Sequence, residues 1–200
     1  MGRDLGPRRR SIGITGVAVT ALYTPAPVRP PIWRKKITRL LLVRHAVPAG
    51  LAGGTGPALS PRGVDQAASL GERLAGLPVT ALYTSPLERA RETAAALSAR
   101  IGLPAEAVAA LDDHAAGGLP RGREAMEWLL APRPNADALV VAVTHLPIIR
   151  LALCHMLGLE AGHQGRFRVE HCGITEMIAA GAATVIVSVN DTSHLKSLDG

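Results

Sequence analysis

Two histidines stand at the ends of apolar runs. Leu40, Leu41, Leu42 and Val43 lead straight into Arg44 and His45, and residues 138–143 (Ala-Leu-Val-Val-Ala-Val) lead into Thr144 and His145. Runs of this kind, bounded by loop residues and without polar alternation, predict strands buried on both faces, the habit of parallel sheets. The carboxyl ends of such strands are where open α/β sheets hold their ligands. Arg89 is a third marked position. It falls in the first turn of a predicted helix, where the positive end of the helix dipole makes a cation unfavourable unless an anion shares the site. An arginine at a helix N-terminus therefore suits an oxyanion, and a neutral imidazole offers a nitrogen lone pair near neutral pH.

The elements that position these residues are legible in order. After the first strand, residues 47–59 carry Pro48, Gly50, Gly53, Gly54, Gly56 and Pro57 and read as a loop. Ser60-Pro61 then opens a helix, serine as N-cap and proline at the first helical position, with Val64, Ala67, Leu70 and Leu74 on its apolar face. A short strand over 79–83 leads to Ser85-Pro86, which repeats the capped junction and predicts a helix to about Ala99 with Ser85 as its N-cap. Leu111-Asp112-Asp113-His114 precedes a second glycine-rich loop, and residues 123–130 predict a short helix. An apolar helix over 146–157, stopped by Gly158, follows His145, and two strands, 174–179 and 184–189, close the chain. Alternating strands and helices define an α/β class with a mainly parallel sheet. His45, facing a loop at a strand end, is expected to carry little packing.

The composition narrows the function classes. The chain has 200 residues and a formal charge of +6, but the charge is unevenly placed. Residues 1–36 hold eight Lys/Arg against the single acid Asp4, a balance of +7, so the remainder carries −1. That first stretch is a basic extension rich in proline. Its Arg8-Arg9-Arg10-Ser11 before an apolar run resembles a twin-arginine export segment, but the cleavage signal is poor, and a disordered arm on a cytoplasmic protein is the favoured expectation. The domain is expected to begin at residue 37. With only Trp33, Trp128, Tyr23, Tyr83 and Phe167 as aromatics, the composition argues against a stacking platform for nucleic acid, and no segment reaches the length of a membrane span. Cys154-His155 and His171-Cys172 lack zinc-ligand spacing, and both cysteines read as small buried thiols.

Four pieces then fall into one order: Leu-Val-Arg44-His45, Thr-Ser85-Pro-Leu-Glu-Arg89-Ala, Leu-Asp-Asp113 and Val-Ala-Val-Thr-His145. With Leu59-Ser-Pro-Arg-Gly-Val-Asp-Gln66-Ala67 and the closing Asn190-Asp-Thr-Ser-His194-Leu195, they resemble the histidine phosphatase superfamily over residues 38–195. The resemblance implies a three-layer α/β/α sandwich of phosphoglycerate mutase type. It implies a phosphate pocket of Arg44, His45, Arg89 and His145, with His45 as the phosphorylated nucleophile, no cofactor, and a small phosphorylated metabolite as substrate. Elementary chemistry agrees: phosphoryl transfer needs an in-line nucleophile and neutralisation of three equatorial oxygens, which two guanidiniums and an imidazole supply without a metal ion. The family also uses an acid for the leaving alcohol. Asp113 is the best positional match, with Asp112 and Glu124 as competitors.

The chain departs from the family's pattern where Arg-His-Gly-Glu is usual: here Ala46 and Val47 follow His45, and Leu51 stands where asparagine is common. Those changes and the short domain favour hydrolysis over mutase chemistry. The expected activity is that of a histidine acid phosphatase-type phosphoric monoester hydrolase. The alternatives are a compact phosphohistidine protein phosphatase, a mutase-type phosphotransferase, or a phosphate-binding domain without catalysis.

Overall fold

The computed structural model describes residues 37–50, 56–113, 118–131, 137–180 and 183–198, all within one compact unit spanning Pro31–Gly200. The basic extension over residues 1–36, Leu51 and His114 lie outside the described residues. The elements are β1 (Ile37–Arg44), α1 (Pro61–Leu74), β2 (Ala81–Thr84), α2 (Glu88–Ile101), β3 (Ala105–Ala107), α3 (Gly118–Leu129), β4 (Ala138–Thr144), α4 (Leu146–Met156), β5 (Ile174–Ala180) and β6 (Ala183–Asp191). Among the described residues the strands form a single sheet in the order β3-β2-β4-β1-β5-β6. The pairs β3–β2, β2–β4 and β4–β1 are parallel, while β5 and β6 run antiparallel at the other side.

Alternate residues of the apolar strands face opposite layers, which is why neither strand shows polar alternation. Leu41, Val43 and Val141 pack with Leu70 and Leu74 of α1 and Ala90, Ala94 and Leu97 of α2. Leu40, Leu42, Val140 and Ala142 pack with Met126 and Leu129 of α3 and Ile149 and Leu153 of α4. Each of the leucine, isoleucine, valine and methionine side chains among them contributes about 1.5–3 kcal/mol on leaving water, and the alanines less. The result is the expected three-layer sandwich, its centre filled by aliphatic side chains.

Local signals account for most boundaries. Ser60 has extended backbone, its hydroxyl accepts from the Gly63 N–H at 3.0 Å, and Pro61 follows as the first helical residue, as expected. The second junction differs. Ser85 is not the N-cap of α2: the helix begins at Glu88, and Leu87 stands at the cap position without a side-chain bond. The Ser85 N–H still donates to Val143 O at 2.9 Å, so its backbone continues the sheet ladder and cannot also start the helix. Helix α3 begins five residues earlier than the glycines and Pro120 suggested. Proline within a first turn costs no helical hydrogen bond, because N–H groups there have no intrahelical acceptor. Strand β3 was not expected, since three residues bearing Glu106 show no apolar run. Its pairing with β2, Leu82 opposite Ala105, makes it a strand.

The sheet register does the positioning. Arg44 lies opposite Thr144 in the β1–β4 ladder, and the His45 N–H donates to Thr144 O at 2.9 Å, so the two histidines leave adjacent strands at the same height. Thr84 lies opposite Val143, which brings Ser85 to that same edge.

Candidate active site

At this edge the rings of His45 and His145 lie 5.0 Å apart between centroids. His45 is 5 % exposed, so the expectation that it carries little packing is corrected: burial between strand ends and α2 encloses it. Its Nδ1 lies 2.8 Å from the Ala46 carbonyl oxygen. A carbonyl can only accept, so Nδ1 carries the proton and Nε2 keeps the lone pair. The Arg89 Nε–H donates to that Nε2 at 3.2 Å. Burial pushes the His45 pKa down to about 2, opposed by the bond to Ala46 and reinforced by His145, His171 and Arg89.

Arg89, in the first turn of α2, is 4 % exposed and is the hub of the cluster. Its Nη2 donates to Asp113 Oδ2 at 2.7 Å and to His145 Nδ1 at 3.2 Å, while Nη1 is buried with no protein partner. Thr93 fixes the helix against the strand that ends at His45: its hydroxyl accepts from the Ala46 N–H and donates to the Arg89 carbonyl. Gly56, at φ +85, closes the other side, where a Cβ would come within 2.2 Å of Arg89 Nη1.

His145 is fully buried. Its Nδ1 accepts from Arg89 and lies 3.7 Å from Asp113 Oδ2, and its Nε2 is 2.7 Å from the Ser85 hydroxyl. Burial pushes its pKa down, against the pull of Asp113. The Ser85 hydroxyl also accepts from the Leu87 N–H. Because Nδ1 accepts from Arg89, the neutral ring carries its proton on Nε2 and donates it to the Ser85 hydroxyl.

Arg44 approaches from β1, half-buried. Its Nη1 donates to Val169 O at 2.8 Å, its Nη2 lies 3.0 Å from His171 Nε2, and its Nε is buried without a partner. His171 was not singled out as a site residue by the sequence. It reaches the site through a turn whose register no local pattern announces. The Cys172 N–H donates to Arg44 O and the Arg44 N–H to Gly173 O, with Cys172 in the left-handed region at φ 56. Both cysteines are buried thiols, as expected.

The sequence-derived set thus comes together: Arg44, His45, Arg89, His145 and Asp113 lie at one strand edge. Of the competing carboxylates, Asp112 is half-buried beside Asp113, and Glu124 is exposed on α3. The geometry defines an α/β protein with a cluster of two arginines and two histidines at the carboxyl ends of its parallel strands. The model of the histidine phosphatase superfamily (branch 1) matches residues 40–123 and 119–192. The chain belongs to that superfamily.

Solved structures share its phosphoglycerate mutase-like fold. YhfR of Bacillus stearothermophilus is 20 % identical with a TM-score of 0.69, over 80 % of this chain and 100 % of that one. A phosphoserine phosphatase from Entamoeba histolytica, solved with 3-phosphoglyceric acid, is 22 % identical with a TM-score of 0.67, over 79 % and 99 %. A mycobacterial glucosyl-3-phosphoglycerate phosphatase is 19 % identical with a TM-score of 0.65, over 78 % and 100 %. No curated protein sequence matches the chain. Among the described residues no helix is long and apolar enough to cross a membrane.

Proposed function

We propose that this protein hydrolyses a phosphomonoester of a small metabolite through a phosphohistidine on His45, without a metal ion. The observation that carries the reading is the fixed tautomer of His45. With Nδ1–H bound to Ala46 O, the Nε2 lone pair faces the side chain of Arg89. In the first step Nε2 attacks phosphorus while the P–O bond to the alcohol breaks. The Arg89 Nε–H, which donates to Nε2 before substrate enters, passes to a phosphoryl oxygen and frees the lone pair. The unpartnered Arg89 Nη1 and Arg44 Nε supply further donors to the equatorial oxygens, whose charge-assisted bonds stabilise the transferring group. Once the Arg89 Nη2–H that His145 Nδ1 accepts turns to a phosphoryl oxygen, the His145 proton can shift to Nδ1 and donate there, with Ser85 then donating to Nε2.

In its protonated form Asp113 is the proposed acid that gives its proton to the departing alcohol; the resulting carboxylate then takes a proton from the water that attacks phosphorus as the N–P bond breaks, and phosphate leaves. Its carboxylate, bound to Arg89 and next to His145, supports this over Glu124, which is exposed. The same carboxylate favours a phosphomonoesterase over a phosphohistidine protein phosphatase, whose leaving group needs less help from an acid.

Acid-labile phosphate should appear on the protein quenched during turnover of an aryl phosphate, and His45→Ala should abolish both it and turnover. Because His45 is buried, this variant should also shift stability by about 1–2 kcal/mol in urea denaturation. Turnover retained by a folded His45→Ala protein would overturn the mechanism.

A further inference from the structure

We propose that His171 is a positioning residue whose neutral imidazole fixes the Arg44 guanidinium for phosphate binding. The inference rests on the phosphate-pocket reading above and names a residue outside that pocket's four cationic and imidazole groups.

Two bonds dictate the state of His171. Its Nδ1 lies 2.9 Å from His45 O, which can only accept, so Nδ1 carries a proton. Its Nε2 lies 3.0 Å from Arg44 Nη2, which can only donate, so Nε2 must accept. Only the neutral ring satisfies both. Through them His171 ties the backbone of the nucleophile to the side chain of the adjacent arginine, and its ring stands edge-on to His45 at 5.1 Å. With Val169 O on Nη1, the His171 bond anchors the guanidinium at two nitrogens and leaves the buried Nε–H for an oxyanion.

A proton on Nε2 would set an N–H against an N–H at 3.0 Å, between two cations. That bond would be lost, and Arg44 would swing from its place. The charged groups around His171 oppose this protonation on balance. Arg44 from β1 and Arg89 from α2 disfavour the charged ring, Glu170 from its own segment favours it, and burial outweighs the rest, so the pKa lies below the ordinary value. On its outer side His171 lines a cleft of about 310 Å³ with Arg62 of α1, Arg168 and Glu170. Arg168 is paired with Glu170, which moderates the acid's pull on the imidazole.

The test measures binding of inorganic phosphate by calorimetry, and kcat and KM for a nitrophenyl phosphate, across the acid range. The proteins are the wild type, His171→Leu and His171→Asn. Asparagine can donate to His45 O and accept from Arg44 but does not titrate. His171→Leu should weaken phosphate binding and raise KM by about 10- to 100-fold, the range for one charge-assisted hydrogen bond, with a smaller fall in kcat. His171→Asn should restore both to within about threefold, and should lose less phosphate affinity on acidification than the wild type.

The proposal is overturned by wild-type phosphate binding in the leucine variant, by a folded asparagine variant no better than leucine, or by identical acid profiles for wild type and asparagine variant. Should the leucine variant fail to fold, the asparagine variant and its acid profile decide. A wild-type protein that neither binds phosphate nor hydrolyses the ester overturns the pocket reading and the proposal together. Wild-type phosphate binding with any of the other failures overturns the proposal alone.

Discussion

Arg89 and His145 converge on one oxygen of Asp113, at 2.7 Å and 3.7 Å, so this carboxylate has two candidate duties: positioning the pocket, or moving a proton. They are separable by leaving group. As an acid, Asp113 matters most when the alcohol leaves badly, so Asp113→Asn should slow phosphorylation by alkyl phosphates roughly 10²–10⁴-fold and by nitrophenyl phosphate far less. Burst kinetics isolate that first step from hydrolysis of the proposed phosphohistidine, for which the same carboxylate is the proposed base. Equal losses for both substrates would assign Asp113 to positioning alone. Asparagine keeps an oxygen for Arg89, so the comparison leaves the hydrogen-bond geometry in place.

At the scale of elements, the strand end that carries His45 and helix α1 are joined by contacts that leave no room for a side chain. Val47 O accepts from both the N–H and the hydroxyl of Ser60, and Gln66 Oε1 accepts from the Val47 N–H. A Cβ on Gly63 would lie 2.1 Å from Val47 O, a backbone atom that cannot swing aside. Gly63→Ala should therefore cost about 1–3 kcal/mol in urea denaturation, as overpacking does, and lower kcat/KM by displacing the residues that follow His45. Gly76→Ala provides the comparison. That glycine sits at φ +78 with nothing within 4 Å of an added Cβ, so the change should cost about 1–2 kcal/mol through backbone strain and leave kcat/KM as it was. Loss of activity in Gly76→Ala comparable to that in Gly63→Ala would refute the assignment.

For the whole molecule, the buried neutral imidazoles make stability depend on pH. The pKa of His45 is held near 2, while the unfolded chain titrates near 6.5, and His145, His171 and His194 are shifted in the same direction. Between those values the unfolded state binds more protons than the folded one, so stability is complete above pH 6.5 and falls as the pH drops toward 2. His45 alone removes roughly 1 kcal/mol per pH unit in that window. The urea midpoint should therefore decline steadily from pH 6.5 to 5, and less steeply in His45→Ala. Glu170 and Asp191, whose pKa values are lowered by Arg168 and by Ser193 respectively, add their losses only in the carboxylate range below this window. A midpoint independent of pH between 6.5 and 5 would contradict the burial of neutral histidines.

What the sequence determined by itself was whatever local pattern encodes. The apolar runs into His45 and His145 defined buried parallel strands, Ser60-Pro61 defined a helix start, and the out-of-place charge of Arg89 marked a candidate anion site. Tertiary structure decided the rest, because hydrogen bonds between distant segments leave no period in the chain. Ser85 looks like a helix cap in sequence but is claimed by the sheet ladder and by His145, 60 residues away. His171 looks like half of a Cys–His pair and becomes a partner of Arg44 only because Cys172 and Gly173 bond to the backbone of Arg44. Which carboxylate stands at the pocket was likewise set by folding: Asp113 meets Arg89 across 24 residues, while Glu124 stays exposed on α3.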